Sequence, residues 1–190
     1  MTDGRKPGEF FSRYPGSAWV QIVVELFYLI ALLGVSLAVL FVIGYDVSGS
    51  PARNNGFVAS YFELPRDRPL LVWISLALAG AVGGATFALK WLYHSVAKFS
   101  WNRDRWVWRI TVPLISSVLS LFSAFMITSG IVPFLSKTAF DNFYVALGFG
   151  FFAGYFSDNL LAALQRSAKR TFGTVDDPPG NPEKDETQSR

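Results

Sequence analysis

Apolar residues in this chain gather into four long blocks, over residues of about 19–45, 70–94, 108–135 and 140–164. Ionisable side chains are nearly absent inside the blocks and concentrate in the ends and connections. A bilayer's hydrocarbon core is about 30 Å thick and takes roughly 20 helical residues to cross. Each block meets or approaches that length. The pattern therefore predicts an all-α protein, a four-helix transmembrane bundle over residues 19–172. A polar segment, residues 1–18, precedes it, and a tail, residues 173–190, follows. Beyond Val175 the tail has no apolar residue except prolines, too little to bury and so order itself.

Composition sharpens this picture. Of 190 residues 51% are hydrophobic and 16% charged, where a soluble domain carries about a quarter charged. The first block is too long for the core of a signal peptide, and Ile43-Gly44-Tyr45-Asp46 offers no small-x-small cleavage site, so it reads as a retained helix. The connection over residues 46–69 is the longest, rich in turn formers such as Asn54-Asn55-Gly56. Its Phe57, Tyr61 and Phe62 suggest a fold back onto the bundle. The connection at residues 136–139 is short, which makes the third and fourth helices an antiparallel hairpin.

Charge sets the orientation. Of the 17 Lys and Arg residues only Arg53, Arg66, Arg68 and Lys137 belong to the first and third connections. The other 13 lie at the two ends and around the middle connection. The positive-inside rule then places both termini and residues 97–106 in the cytoplasm. Trp19, Trp91, Trp101, Trp106 and Trp108 fall near that same face, as interfacial indoles do. Residues 97–109 mix Phe99, Trp101, Trp106 and Trp108 with Lys98, Arg103, Arg105 and Arg109. They read as an anchor on the inner headgroups, with a docking surface for a cytoplasmic partner as the sharper alternative. The net charge of +3 gives no reason to invoke nucleic acid, because lipid headgroups suffice as partners for basic residues at helix ends.

Small residues mark packing faces. The second block holds Gly80 and Gly84, a GxxxG pair; the fourth holds Gly150 and Gly154 at the same spacing. Such faces let helix backbones approach closely where lipid removes the hydrophobic drive. They serve packing within the bundle or a subunit interface. In the third block Ser116, Ser120 and Ser123 share a face after Pro113. Their hydroxyls either bond back to helix carbonyls or line a wet path. Pro113 lies near the helix start, where a missing N–H does little harm.

Ionisable groups inside the blocks are costly and need partners. Glu25 and Lys90 lie at comparable depth on two antiparallel helices, which suggests a Glu25–Lys90 pair. Asp158 is placed to pair with Arg109 or Lys90, giving an ionic cluster of Glu25, Lys90, Arg109 and Asp158. The chain has no cysteine and one histidine, His94, so no metal centre or thiol chemistry is implied. No phosphate loop or nucleophile motif is present. The sequence thus implies neither cofactor nor enzyme.

Two segments carry a resemblance. Gly80-Ala81-Val82-Gly83-Gly84 leads to His94-Ser95 and a basic, tryptophan-containing turn. Ala153-Gly154-Tyr155-Phe156-Ser157-Asp158 is followed by Leu160, Leu161 and Leu164. Over residues 70–172 the chain resembles small, uncharacterised bacterial four-helix inner-membrane proteins. The resemblance implies a multi-pass protein of the cell inner (plasma) membrane and transfers no activity. The expected function is a non-enzymatic membrane protein that self-associates or scaffolds a membrane partner. The alternative is a small channel or transporter subunit that uses the Ser face.

Overall fold

The structure, a computed structural model, describes residues 12, 14–47, 68–131 and 137–173. Every regular element among them is helical. They are α1 (Gly16–Val47), α2 (Arg68–Ala97), α3 (Trp106–Thr128), α4 (Phe143–Tyr155) and α5 (Ser157–Phe172), with single 3-10 turns at Arg103–Arg105 and Lys137–Asp141. Three helices, over Gly16–Tyr45, Pro69–Ala97 and Arg103–Thr128, are long and apolar enough to cross a membrane, and α4 with α5 would make a fourth span only if counted together. The chain divides into two compact units, Met1–Ser157 and Asp158–Arg190. The long connection with Phe57, Tyr61 and Phe62, and the tail beyond Gly173, lie outside the described residues.

In the first unit α2 is the central helix, packing against α1, α3 and α4. In its most apolar window 61% of residues are buried, against 17% in α1 and 39% in α3, so α1 has most of its surface free. One apolar cluster joins Leu29 of α1 to Ala88, Leu92 and Val112. A second joins Leu76 to Ala124, Ile127, Phe140 and Ala146, and a third joins Ile43, Leu71 and Phe143. The hairpin expectation needs refinement, because α4 packs more extensively against α2 than against α3.

The third and fourth helices differ from the expected spans. α3 closes at Thr128, not residue 135. Gly130 N–H bonds to the Ile127 carbonyl and Ile131 N–H to that of Met126, with Gly130 at φ 80°. That paired bonding around a left-handed residue is a Schellman stop, and glycine adopts it without a Cβ penalty. The expected continuous span over 140–164 is broken. Asn142 caps α4, its Oδ1 accepting from the N–H groups of Tyr144 and Val145. α4 then has only 13 residues, about 20 Å by helical rise. It stops at Phe156, whose φ −101° and ψ 27° leave the helical well. Ser157 and Asp158 restart the chain as α5; Ser and Asp favour helix starts, and Asp158 puts an acidic group in the first turn. α5 is amphipathic: Leu160, Leu161 and Leu164 share one face, with Asn159, Arg166 and Lys169 on the other.

Candidate functional site

The polar chemistry of the first unit falls into three places. The first is an ion pair between α1 and α3. On α1 the buried residues Ile22, Glu25, Leu29, Ser36 and Ile43 form one stripe, while Val20, Val23, Val24, Phe27 and Ile30 are exposed. Glu25 thus faces inward at 4% exposure. Arg109 Nη1 donates to Glu25 Oε2 at 2.7 Å, and Arg109 is 3% exposed. Trp101 Nε1 donates to the same oxygen at 3.4 Å, and Gln21 Nε2 donates to Oε1 at 3.0 Å. The guanidinium carbon lies 5.8 Å from the centre of the Trp101 ring. Three donors on two carboxylate oxygens, and an aromatic face beside the cation, are what a buried charge pair needs to survive desolvation.

The connection that supplies Trp101 is itself fastened to α1. Trp101 N–H donates to the Tyr14 hydroxyl at 3.2 Å, and that hydroxyl donates to the Ser95 carbonyl at 3.5 Å. Gln21 Nε2 also donates to the Arg103 carbonyl at 3.3 Å. α2 ends in a second Schellman arrangement, Phe99 N–H to Val96 and Ser100 N–H to Ser95. Here the left-handed residue is Phe99 at φ 56°, a conformation unfavourable for a side chain of that size. Its ring packs 5.9 Å from that of Tyr14, a contact that a glycine could not make.

The expected Glu25–Lys90 pair does not form. The side of α2 on which Lys90 lies is the reason. Ala88 and Leu92 turn toward Leu29 of α1, and a residue two positions from each points to the opposite side of α2. Lys90 is exposed there, its Nζ donating to the Tyr155 hydroxyl at 3.1 Å. The Arg109 guanidinium is instead taken by Glu25. Asp158 is exposed in the first turn of α5, and His94 is exposed near the end of α2.

The second place is a seam of close contact. A Cβ added at Gly84 would stand 2.5 Å from Ser116 Oγ and 3.0 Å from Pro113 Cα. One at Gly80 would strike Ser120 Oγ, and one at Gly150 would stand 2.5 Å from the Leu76 carbonyl oxygen. One at Gly154 would strike the Gly80 carbonyl, whose carbon is 2.8 Å away. Gly80 and Gly84 thus meet α3, and Gly150 and Gly154 meet α2. Gly83 also belongs to this seam, against the backbone of Phe151 and Tyr155; as the third small residue of the Gly80–Gly84 turn it carried the same signal.

The Ser face of α3 lies in this seam. Ser116 and Ser120 are fully buried and Ser123 is 6% exposed. Ser120 Oγ is within hydrogen-bond reach of the carbonyls of Ser116 at 2.8 Å and Gly150 at 3.2 Å, and Ser116 Oγ donates to Ser157 Oγ at 3.2 Å. Ser123 Oγ is buried without a partner among the described residues. Pro113 sits two turns inside α3, deeper than expected, because the helix begins at Trp106. The proline takes away the N–H that would bond the Arg109 carbonyl; the Tyr28 hydroxyl of α1 donates to the neighbouring Ile110 carbonyl at 3.3 Å.

The third place is Lys90 with its aromatic surround, taken up below. The sequence held no direct signal for Tyr28 or Trp101 as partners of α3. Gln21 was visible only as a polar residue one turn before Glu25. No family model matches the chain, and comparison with curated proteins and with solved structures returns no similar protein.

Proposed function

We propose that this is a non-enzymatic integral membrane protein that works by contact, self-associating or holding a membrane partner, in a bacterial inner membrane with both termini cytoplasmic. One observation carries the reading: the buried ion pair, two serines and the close-contact glycines of the first unit are spent on its own packing. Glu25 and Arg109 satisfy each other, Ser116 and Ser120 bond within the seam, and Gly80, Gly84, Gly150 and Gly154 meet neighbouring helices. The helix left most open to the outside is α1. Ala31, Gly34 and Ala38 are exposed on it at near-helical spacing, and a Cβ at Gly34 would meet nothing within 4 Å. Small residues on an open helix face suit contact between helices in lipid.

Assembly size in mild detergent tests the proposal. Wild type should run as an oligomer or hold a co-purifying membrane protein, and Gly34→Leu should shift it to the monomer. A wild-type chain that is monomeric and unaccompanied in native-lipid particles would overturn it. Orientation is read separately. The chain lacks cysteine, so labelling of Ser100→Cys by an impermeant reagent from outside the cell would reverse the assigned topology.

The second reading, a small channel or transporter subunit, is favoured by a single atom, the unpartnered Ser123 Oγ, which a water would satisfy. Solute flux into proteoliposomes, abolished by Ser123→Val, would establish that reading instead.

A further inference from the structure

Lys90 stands in an apolar helix between Leu89 and Trp91, exposed, with no carboxylate at ion-pair distance among the described residues. The buried acid of the bundle, Glu25, is already committed to Arg109. Among the described residues the one polar contact of the Lys90 ammonium is the Tyr155 hydroxyl at 3.1 Å, and its Nζ lies 5.8 Å from the centre of that ring. Phe87 gathers the surrounding aromatics: its ring is 5.9 Å from Tyr155, 6.2 Å from Trp108 and 6.4 Å from Trp91. Tyr155 is steadied on its other side by Phe151, stacked at 6.1 Å.

Counting donors shows what is missing from this patch. The ammonium has three N–H groups and spends one on Tyr155. The Tyr155 hydroxyl accepts that bond, and its own proton has no acceptor among the described residues. Trp91 and Trp108 are 49% and 39% exposed, and neither indole N–H has an acceptor there. The patch is all donors with one full positive charge. Lys90 precedes the end of α2 at Ala97 by seven residues, about 10 Å by helical rise.

From this juxtaposition we infer that Lys90 and Tyr155, framed by Trp91 and Trp108, form a binding site for the headgroup phosphate of a net-anionic phospholipid. Lys90 supplies the charge, Tyr155 a fixed hydroxyl donor, and the indoles the interfacial seat that tryptophan prefers. The inference rests on the membrane reading above.

Spin-labelled phosphatidylglycerol and phosphatidylcholine, each introduced into phosphatidylcholine bilayers that hold the full chain, test it. The motionally restricted component in the spectrum reports lipid at the protein surface. Wild type should favour phosphatidylglycerol about fivefold, the increment of one basic residue near an anionic lipid. Lys90→Gln should remove the preference, Tyr155→Phe should reduce it, and Lys90→Arg should retain it. Arg103→Gln, in the exposed connection, should leave it in place. Equal affinity for both lipids in wild type, or an undiminished preference in Lys90→Gln, overturns the site while leaving the membrane reading intact. Loss of the preference in Arg103→Gln would show only a diffuse basic surface and also overturns it. A restricted component absent for every lipid overturns both. Inorganic phosphate at millimolar concentration should not compete; if it does, the lipid assignment fails.

Discussion

The Glu25–Arg109 pair and the Gly–Ser seam both lie buried in the first unit, and they solve the same problem by opposite means. The pair brings two full charges together and needs Gln21, Trp101 and a fastened connection to satisfy them. The seam removes side chains, so that backbones touch and two serines bond across the gap. The first depends on a few directional bonds to side chains that must come from three different segments. The second depends chiefly on volume. The seam should therefore be intolerant of any added atom, and the pair intolerant of losing one member but tolerant of losing both.

The largest effect is expected in the seam. Gly154→Leu would drive a side chain into the Gly80 backbone and should cost about 3 kcal/mol or more, read as a shifted midpoint for unfolding in mixed micelles. Even Gly154→Ala should destabilise, whereas Gly148→Ala, where a Cβ meets nothing within 4 Å, should stabilise α4 by about 0.5–1 kcal/mol. Equal behaviour of the two alanine variants would dissolve the distinction between seam and surface.

Next comes the charge pair. Glu25→Gln or Arg109→Gln alone should cost about 3 kcal/mol, because each strands a buried charge, and the double variant should cost much less than the sum. Lys90→Gln should instead add to Glu25→Gln within about 0.5 kcal/mol, as separate sites do. Strong coupling of Glu25 to Lys90 in that cycle would restore the pairing that depth alone suggests.

The smallest effects separate two serines on one helix face. Ser120→Ala removes a hydroxyl within reach of two carbonyls and should cost about 0.6 kcal/mol, the mean for polar contacts between membrane helices. Ser123→Ala removes a hydroxyl with no partner and should be neutral or slightly stabilising, since an unsatisfied group contributes only its desolvation penalty. A larger loss at Ser123 than at Ser120 would mean that Ser123 has a partner outside the protein.

By itself the sequence determined that the chain is helical and that several of its helices are apolar enough to cross a membrane. Long blocks nearly without charge can satisfy their backbone in lipid only as helices, and small residues at a spacing of four identified both faces of the seam, because that signal is one-dimensional. Its fourth block reads as one continuous helix, whereas the helix breaks at Phe156, because apolar character runs through the break unchanged. Only the tertiary structure decided which side of each helix met which neighbour. Lys90 and Ala88 differ by two positions in sequence and by half a turn in space, so Glu25 meets Arg109 and Lys90 meets Tyr155. That outcome depends on how each helix is rotated, which is set by the summed packing of Leu29 on Ala88 and Leu92 and of Gly83 on Phe151, contacts between residues that the chain keeps far apart.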